Sequence, residues 1–427
     1  MAAMSQMAAP ITATDPAGGA ARVFDAKAVR ADFPILANES HGKPLAFLDS
    51  AASAQKPRAV IDAVRHCYEQ EYANVHRGVY ELSAKTTEAF EESRRKVARF
   101  LNAASEREIV FTRGATEAIN LVAASYGAAF LSEGDEIVLS TLEHHSNIVP
   151  WQLLRERTGA VLRVVPINDR GEFDLAAYAE LLGPRTKLVA VTHASNALGT
   201  FTPVDEIIRL AHERDVPVLL DGCQAVPHLP VDVAALDVDF YVFSGHKLYG
   251  PSGIGALYAK LAHLEAMPPW QGGGDMIKTV SFEKAIYADP PTKFEAGTPN
   301  IAGSIGFGAA VDYVSAFDRA ALVAHEDALL DYTLNRLADV EGLRLIGEAQ
   351  NRASIVSFVM DGVHSHDVGT ILDEAGVAVR VGHHCAQPVM NYFGITGTVR
   401  ASFGIYSAQA DADALVEGLA QVKRIFG

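Results

Sequence analysis

From residue 108 onward, short aliphatic and β-branched runs alternate with amphipathic segments, and this alternation restricts the fold more than any other feature. The runs are EIVFT (108–112), EIVLS (136–140), LRVVPI (162–167), KLVAVTHAS (187–195), PVLLDG (217–222), FYVFS (240–244) and GIGALYA (253–259). Most are continuously apolar, the pattern of strands covered on both faces of a mainly parallel sheet. Between them, ATEAINLVAASYGAAFL (115–131) and VDEIIRLAHERD (204–215) read as helices. In the second, Ile207, Ile208 and Ala211 form a stripe at helical spacing. Strands alternating with helices predict an α/β domain with its ligand chemistry at the carboxyl ends of the strands.

Glycine and proline crowd residues 268–300, which reads as loop and boundary. Beyond it lie a long helical stretch (303–338), a short strand SIVSFVM (354–360), and a last helix with Leu415, Leu419, Val422 and Phe426 on one face. These make a smaller α+β domain. The first twenty or so residues are rich in small residues, without the charged start and apolar core of a secretory signal, and read as a disordered tail. A formal charge of −16 argues against nucleic acid or an anionic membrane as partner. No apolar run approaches the ~18 residues that span a bilayer. Only three cysteines occur (Cys67, Cys223 and Cys385), with no CxxC pair, so neither a disulfide framework nor structural zinc is expected. A reducing compartment, the cytoplasm, is the expected location.

The strongest local signal is DFYVFSGHKLYGPSGIGALYA (239–259). A lysine is ordinarily a solvated surface charge, but Lys247 follows a buried strand among small residues, where poor solvation suits Schiff-base chemistry. Pyridoxal 5′-phosphate (PLP) is the natural carbonyl partner, and it makes further demands. Its pyridine nitrogen needs a carboxylate. Asp221, in VPVLLDGCQAV, ends another strand, although such an aspartate could equally cap a helix. Gln224 could bond the ring's phenolic oxygen. The phosphate needs backbone donors at a helix start, which TRGATEAIN offers through Gly114, Ala115 and Thr116, with Ser244 and His246 beside the lysine. LEHHSNIVPW places His144 and His145 past a further strand, where one could cover the ring face.

Taken in order, TRGATEAINLVA, EHHSNIVPW, DGCQAV, SGHKLYGPSGIG, EAGTPN and GHHCAQP closely resemble the cysteine desulfurases of PLP fold type I. LDSAASAQKP and NVHRGVYELSA fit as well, and the short loop RVGHHCAQPVM looks like the SUF-type group. The resemblance implies a seven-stranded, mostly parallel sheet in a large domain, a smaller C-terminal domain, and a homodimer. The expected divisions are a tail (1–21), an N-terminal segment on the small domain (22–40), a large domain (41–302) and a small domain carrying the cysteine loop (303–427). Carried over, Lys247 binds the cofactor, Asp221 pairs with its pyridinium, Gln224 meets the phenolic oxygen, and His144 stacks on the ring and assists proton transfer. Ala115, Thr116, Ser244 and His246 hold the phosphate, with Thr298 of the other subunit. Arg400 clamps the substrate carboxylate, Asn196 orients cofactor and substrate, and Arg380 sits nearby. Many relatives have histidine at Tyr80, and Tyr-Asn-Thr at Tyr406-Ser407-Ala408.

On this reading Cys385 attacks the sulfur of L-cysteine, giving L-alanine and a protein persulfide that passes to a sulfur-acceptor protein of the SUF pathway for iron–sulfur assembly. Arg380, His383 and His384 are candidates to favour its thiolate. Zinc at Cys385 is the weaker alternative. Cys67 continues an apolar stripe with Val60 and Val64, and Cys223 reads as packing. The rival activities are a selenocysteine lyase acting on L-selenocysteine, a PLP-free sulfur carrier, and an inactive scaffold.

Overall fold

The computed structural model describes residues 22–426, so the tail expected over 1–21 lies outside the described residues. One sheet holds β1 (Ile109–Thr112), β2 (Glu136–Ser140), β3 (Val161–Val165), β4 (Thr186–Thr192), β5 (Val218–Asp221), β6 (Phe240–Ser244) and β7 (Gly255–Ala259). Its seven strands run in the order β1-β7-β6-β5-β4-β2-β3. Only β7 is antiparallel to its neighbours. Each expected run is a strand. All but β3 are buried along nearly their whole length. The exception, β3, is an edge strand, and Val161 and Val164 are exposed. The carboxyl ends of β1, β2, β4, β5 and β6 share one edge, and every residue proposed for the cofactor except Thr298 lies at or just beyond these ends.

The helical stretch over 303–338 is two helices, Ile301–Ser315 and Arg319–Ala338. The break falls at Asp318, whose carboxylate caps the second by accepting the Ala320 N–H at 2.9 Å. The first helix lies against Glu81–Phe100 and Arg58–His66, and its glycines allow the approach. A Cβ at Gly308 would stand 2.6 Å from Ser93 Oγ, and one at Gly306 2.5 Å from Val64 Cγ2. Val314, Phe317 and Leu322 belong to the core under the large sheet, whereas Leu329, Leu330 and Leu337 belong to the C-terminal core. The packing thus changes hands inside the second helix.

The C-terminal unit carries β8 (Leu343–Leu345), β9 (Ile355–Met360), β10 (Arg380–Gly382) and β11 (Thr398–Ser402), antiparallel in the order β8-β9-β11-β10. The last helix, Gln409–Phe426, buries Leu415, Leu419 and Val422, but Phe426 at its end is half exposed. The N-terminal segment joins both units. Phe33 is buried edge-on among Tyr249, Tyr313 and Tyr406, while Arg30 bonds Asp411 and the Tyr406 carbonyl. Pairing with the C-terminal unit continues past residue 40, since Ala46–Phe47 lie parallel to Val377–Ala378.

One buried charge stands out in the large unit. The Arg94 guanidinium, 2% exposed, holds Glu295 through two bonds of 2.6 and 2.9 Å and also meets Glu91 and the Ile109 carbonyl. Glu295→Ala leaves that charge without its main partner and is expected to lower stability by about 3–5 kcal/mol. A loss under ~1 kcal/mol in chemical denaturation, the range of an exposed pair, contradicts this.

Candidate active site

Strand β1 leads through Gly114, at φ 152°, into the helix Ala115–Val122. Glycine is needed here for the backbone angle, and Gly255 is needed opposite it, since a Cβ at Gly255 would lie 2.7 Å from Gly114 Cα. The first helical N–H, of Ala115, donates to Ser244 Oγ at 2.9 Å, which ties the helix start to the end of β6. Thr116 is exposed beside it. The turn Gly245–Lys247 follows β6 directly. Burial, with Lys247 and Lys56 nearby, pushes His246 down to about 4, so its ring is neutral.

At the end of β5, Asp221 is buried, and its Oδ1 accepts the Cys223 N–H at 3.0 Å, which sets the rotation of the carboxylate. Gln224 spends one amide N–H on the Ala51 carbonyl at 2.7 Å and keeps a second. Burial and Asp221 push the Cys223 thiol up to about 12, in keeping with a packing role. Cys67 is likewise buried and its thiol raised.

His144 follows β2. Its Nδ1 accepts the Ser146 N–H at 3.1 Å, and burial followed by the charge of Lys247 pushes it down to about 4. Asp221 and Arg400 also act on this ring, so charges from two strand ends of the large sheet and from β11 of the C-terminal unit meet at His144. The preceding residue, Glu143, is fully buried. It accepts bonds from Ser140 Oγ, Asn147 Nδ2 and the Thr192 N–H at 2.5, 2.6 and 3.0 Å, anchoring the histidine turn to β4. Burial pushes Glu143 up to about 8.

Arg380 and Arg400 face each other on β10 and β11, an arrangement of like charges that costs energy unless offset. Asp49 offsets it. The carboxylate takes Arg380 Nε and Nη2 at 3.0 and 2.7 Å and Arg400 Nη2 at 3.2 Å. Arg400 also donates from Nη1 to the Asn196 carbonyl at 2.8 Å, and burial pushes it down to about 10. Arg400 Nε and Asn196 Oδ1 are both buried without a partner. Unmatched buried polar atoms are costly, and this donor and acceptor mark a place built for a polar ligand. Asp49 has no local signal in the sequence beyond its motif, because its partners lie more than 300 residues away in the chain.

The cysteine loop closes the site. Cys385 is exposed, and both it and His384 are left-handed, at φ 54° and 52°. Each such residue costs about 1–2 kcal/mol without glycine. The His384 ring is buried against Thr398 Oγ1 at 2.8 Å and pushed down to about 2 by burial and Arg400. It therefore lends no positive charge to the thiol, contrary to the expectation. Arg380 does lie within the electrostatic reach of Cys385, though it is paired with Asp49. Among the described residues no group of three or more His, Cys, Asp and Glu stands together that could hold a metal ion.

Thr298 alone among the expected residues stands apart. It is exposed, in a shallow cavity beside Arg113, Glu117 and Trp270. Of the two sequence departures, Ser407 is buried and accepts the Gly404 N–H, a turn contact away from the cofactor residues, while Tyr80 is exposed.

Residues 46–415 match the model of the aminotransferase class-V family. A cysteine desulfurase of Dickeya dadantii is 56% identical over 400 residues, covering 93% of this chain and 97% of the relative. The crystal structure of the Escherichia coli cysteine desulfurase CsdA superposes with a TM-score of 0.89 at 41% identity, over 95% of this chain and all of that one. That of the cysteine desulfurase of Thermococcus onnurineus gives 0.87 at 37% identity, over 93% of this chain and 97% of that one. Matched by that family model over residues 46–415 and similar along nearly its whole length to such relatives, the chain belongs to the class-V aminotransferase family, among its cysteine desulfurases.

Proposed function

We propose that the protein uses PLP to convert L-cysteine into L-alanine and a persulfide on Cys385. The observation that carries this reading is the gathering of Lys247, Asp221 and His144 along one edge of the large sheet, where Arg400 of β11 reaches the Asn196 carbonyl, with an exposed thiol on a loop bonded to the same edge through Asn196 and His145. The residues suit the cofactor. The helix start at Ala115, whose first N–H holds Ser244 Oγ in place, the hydroxyls of Thr116 and Ser244 and the neutral His246 match a phosphate. The oriented Asp221 matches a pyridinium, and the remaining N–H of Gln224 a phenolic oxygen.

When bound, the cofactor supplies an electron sink for the pair released at the substrate Cα. Arg400 Nε is free to receive the substrate carboxylate while Asp49 holds the guanidinium in place. The Lys247 amine takes the Cα proton, and the neutral His144 is available to carry a second proton. Cys385 as thiolate attacks the substrate sulfur, so the new S–S bond forms as the Cβ–Sγ bond breaks.

The persulfide then passes to an acceptor protein, for which the SUF system and iron–sulfur assembly in the cytoplasm are the proposed setting. No helix among the described residues is long and apolar enough to cross a membrane. A homodimer is supported by Thr298, which has no role within its own chain's site, and by fully exposed Val79 and Phe282. Purified protein is expected to be yellow, to change its visible band on adding L-cysteine, and to release alanine. Protein that stays colourless and inactive after incubation with PLP overturns the reading.

A further inference from the structure

Cys385 rides on the C-terminal unit, whereas the groups it must reach end strands of the large sheet. Two consecutive left-handed residues, His384 and Cys385, are unfavourable for a loop left to itself, so contacts from outside must hold it. Within the loop, His383 Nδ1 accepts the Cys385 N–H at 3.1 Å. From the large unit, Asn196 Nδ2 donates to the His384 carbonyl at 2.6 Å. His145 does more. Its backbone N–H donates to the Cys385 carbonyl at 2.7 Å, and its ring Nε2 accepts the Gln387 N–H at 3.2 Å. It therefore grips the loop at the thiol residue and again two residues beyond.

We propose that His145 is a positioning residue that sets the reach of the Cys385 thiol to the substrate sulfur, a role separate from that of its neighbour His144. To accept from Gln387, the ring must carry its proton on Nδ1 and stay neutral. Burial and the nearby His383, its ring centroid 5.5 Å away, favour the neutral form. The backbone bond remains available to any residue except proline, so the ring contact is the part that these mutations isolate. The inference rests on Cys385 as the sulfur acceptor.

The test uses PLP-loaded protein with His145→Leu, which lacks the ring acceptor, and His145→Gln, whose amide oxygen reaches about as far as Nε2. Three quantities are read: the L-cysteine-induced change in the visible band, single-turnover persulfide on Cys385 by mass spectrometry, and amide exchange at Gln387. His145→Leu is expected to leave the band change within about twofold, and to slow persulfide formation by about ten- to a hundredfold, the cost of a misplacement near 1 Å. Exchange at Gln387 should speed up, and His145→Gln should restore both. Unchanged persulfide formation in the leucine variant overturns the proposal, as does equal loss of band change and persulfide, or a glutamine variant as impaired as leucine. Failure of the underlying reading looks different: Cys385→Ala would then release alanine at the full rate, whatever happens at His145.

Discussion

Lys247→Ala is expected to yield colourless protein that no longer takes up PLP as a yellow species, with alanine production from L-cysteine lowered by at least about a hundredfold. The argument is positional. Lys247 follows the end of β6, and its charge acts on both His144 and Cys223, so its amine lies within electrostatic reach of both the proposed ring cover and the end of β5. The nearest possible substitute is Lys56, which burial pushes down to about 8 and which lacks a carboxylate partner. Its Nζ is held instead by Ser53 Oγ and by the carbonyls of Ala54 and His246. Those bonds commit it to the loop before the helix Arg58–His66. A visible band that survives Lys247→Ala unchanged refutes the assignment and turns attention to Lys56.

Cys385→Ala is expected to separate the two halves of the reaction. The cofactor band and its response to L-cysteine should remain, while persulfide on the protein and sulfur delivered to an acceptor fall to background. No other thiol can stand in. Cys67 and Cys223 are buried, and both are raised by that burial, Cys223 to about 12, so neither supplies thiolate near neutral pH. Alanine release at the full wild-type rate would rule out Cys385 as the nucleophile.

Much of this architecture is legible in the chain because each signal is local. A strand buried on both faces must be apolar nearly throughout, so the strands of the large sheet other than the exposed edge strand β3 announce themselves as runs for that reason. The chemistry at their ends is legible for the same reason: Lys247, Asp221 and His144 each stand just where a run stops. Helix breaks are less so. Nothing in the apolar pattern of 303–338 distinguishes one helix from two, and the cap at Asp318 competes with an uninterrupted helical periodicity.

Residue types and strand ends, then, were determined by the sequence itself: an α/β sheet, a lysine, a carboxylate and a histidine along one edge, and a thiol near the C-terminus. The tertiary structure alone decided what those groups experience. Burial makes His384 neutral and removes it as a cationic aid to Cys385. Asp49 becomes the common partner of two arginines on adjacent strands, and His145 becomes a clasp on the thiol loop. The Asp49 and His145 contacts bring residues more than 200 positions apart in the chain within about 3 Å, a distance at which hydrogen-bond geometry and local dielectric govern behaviour. Local sequence carries no record of such meetings; packing creates them.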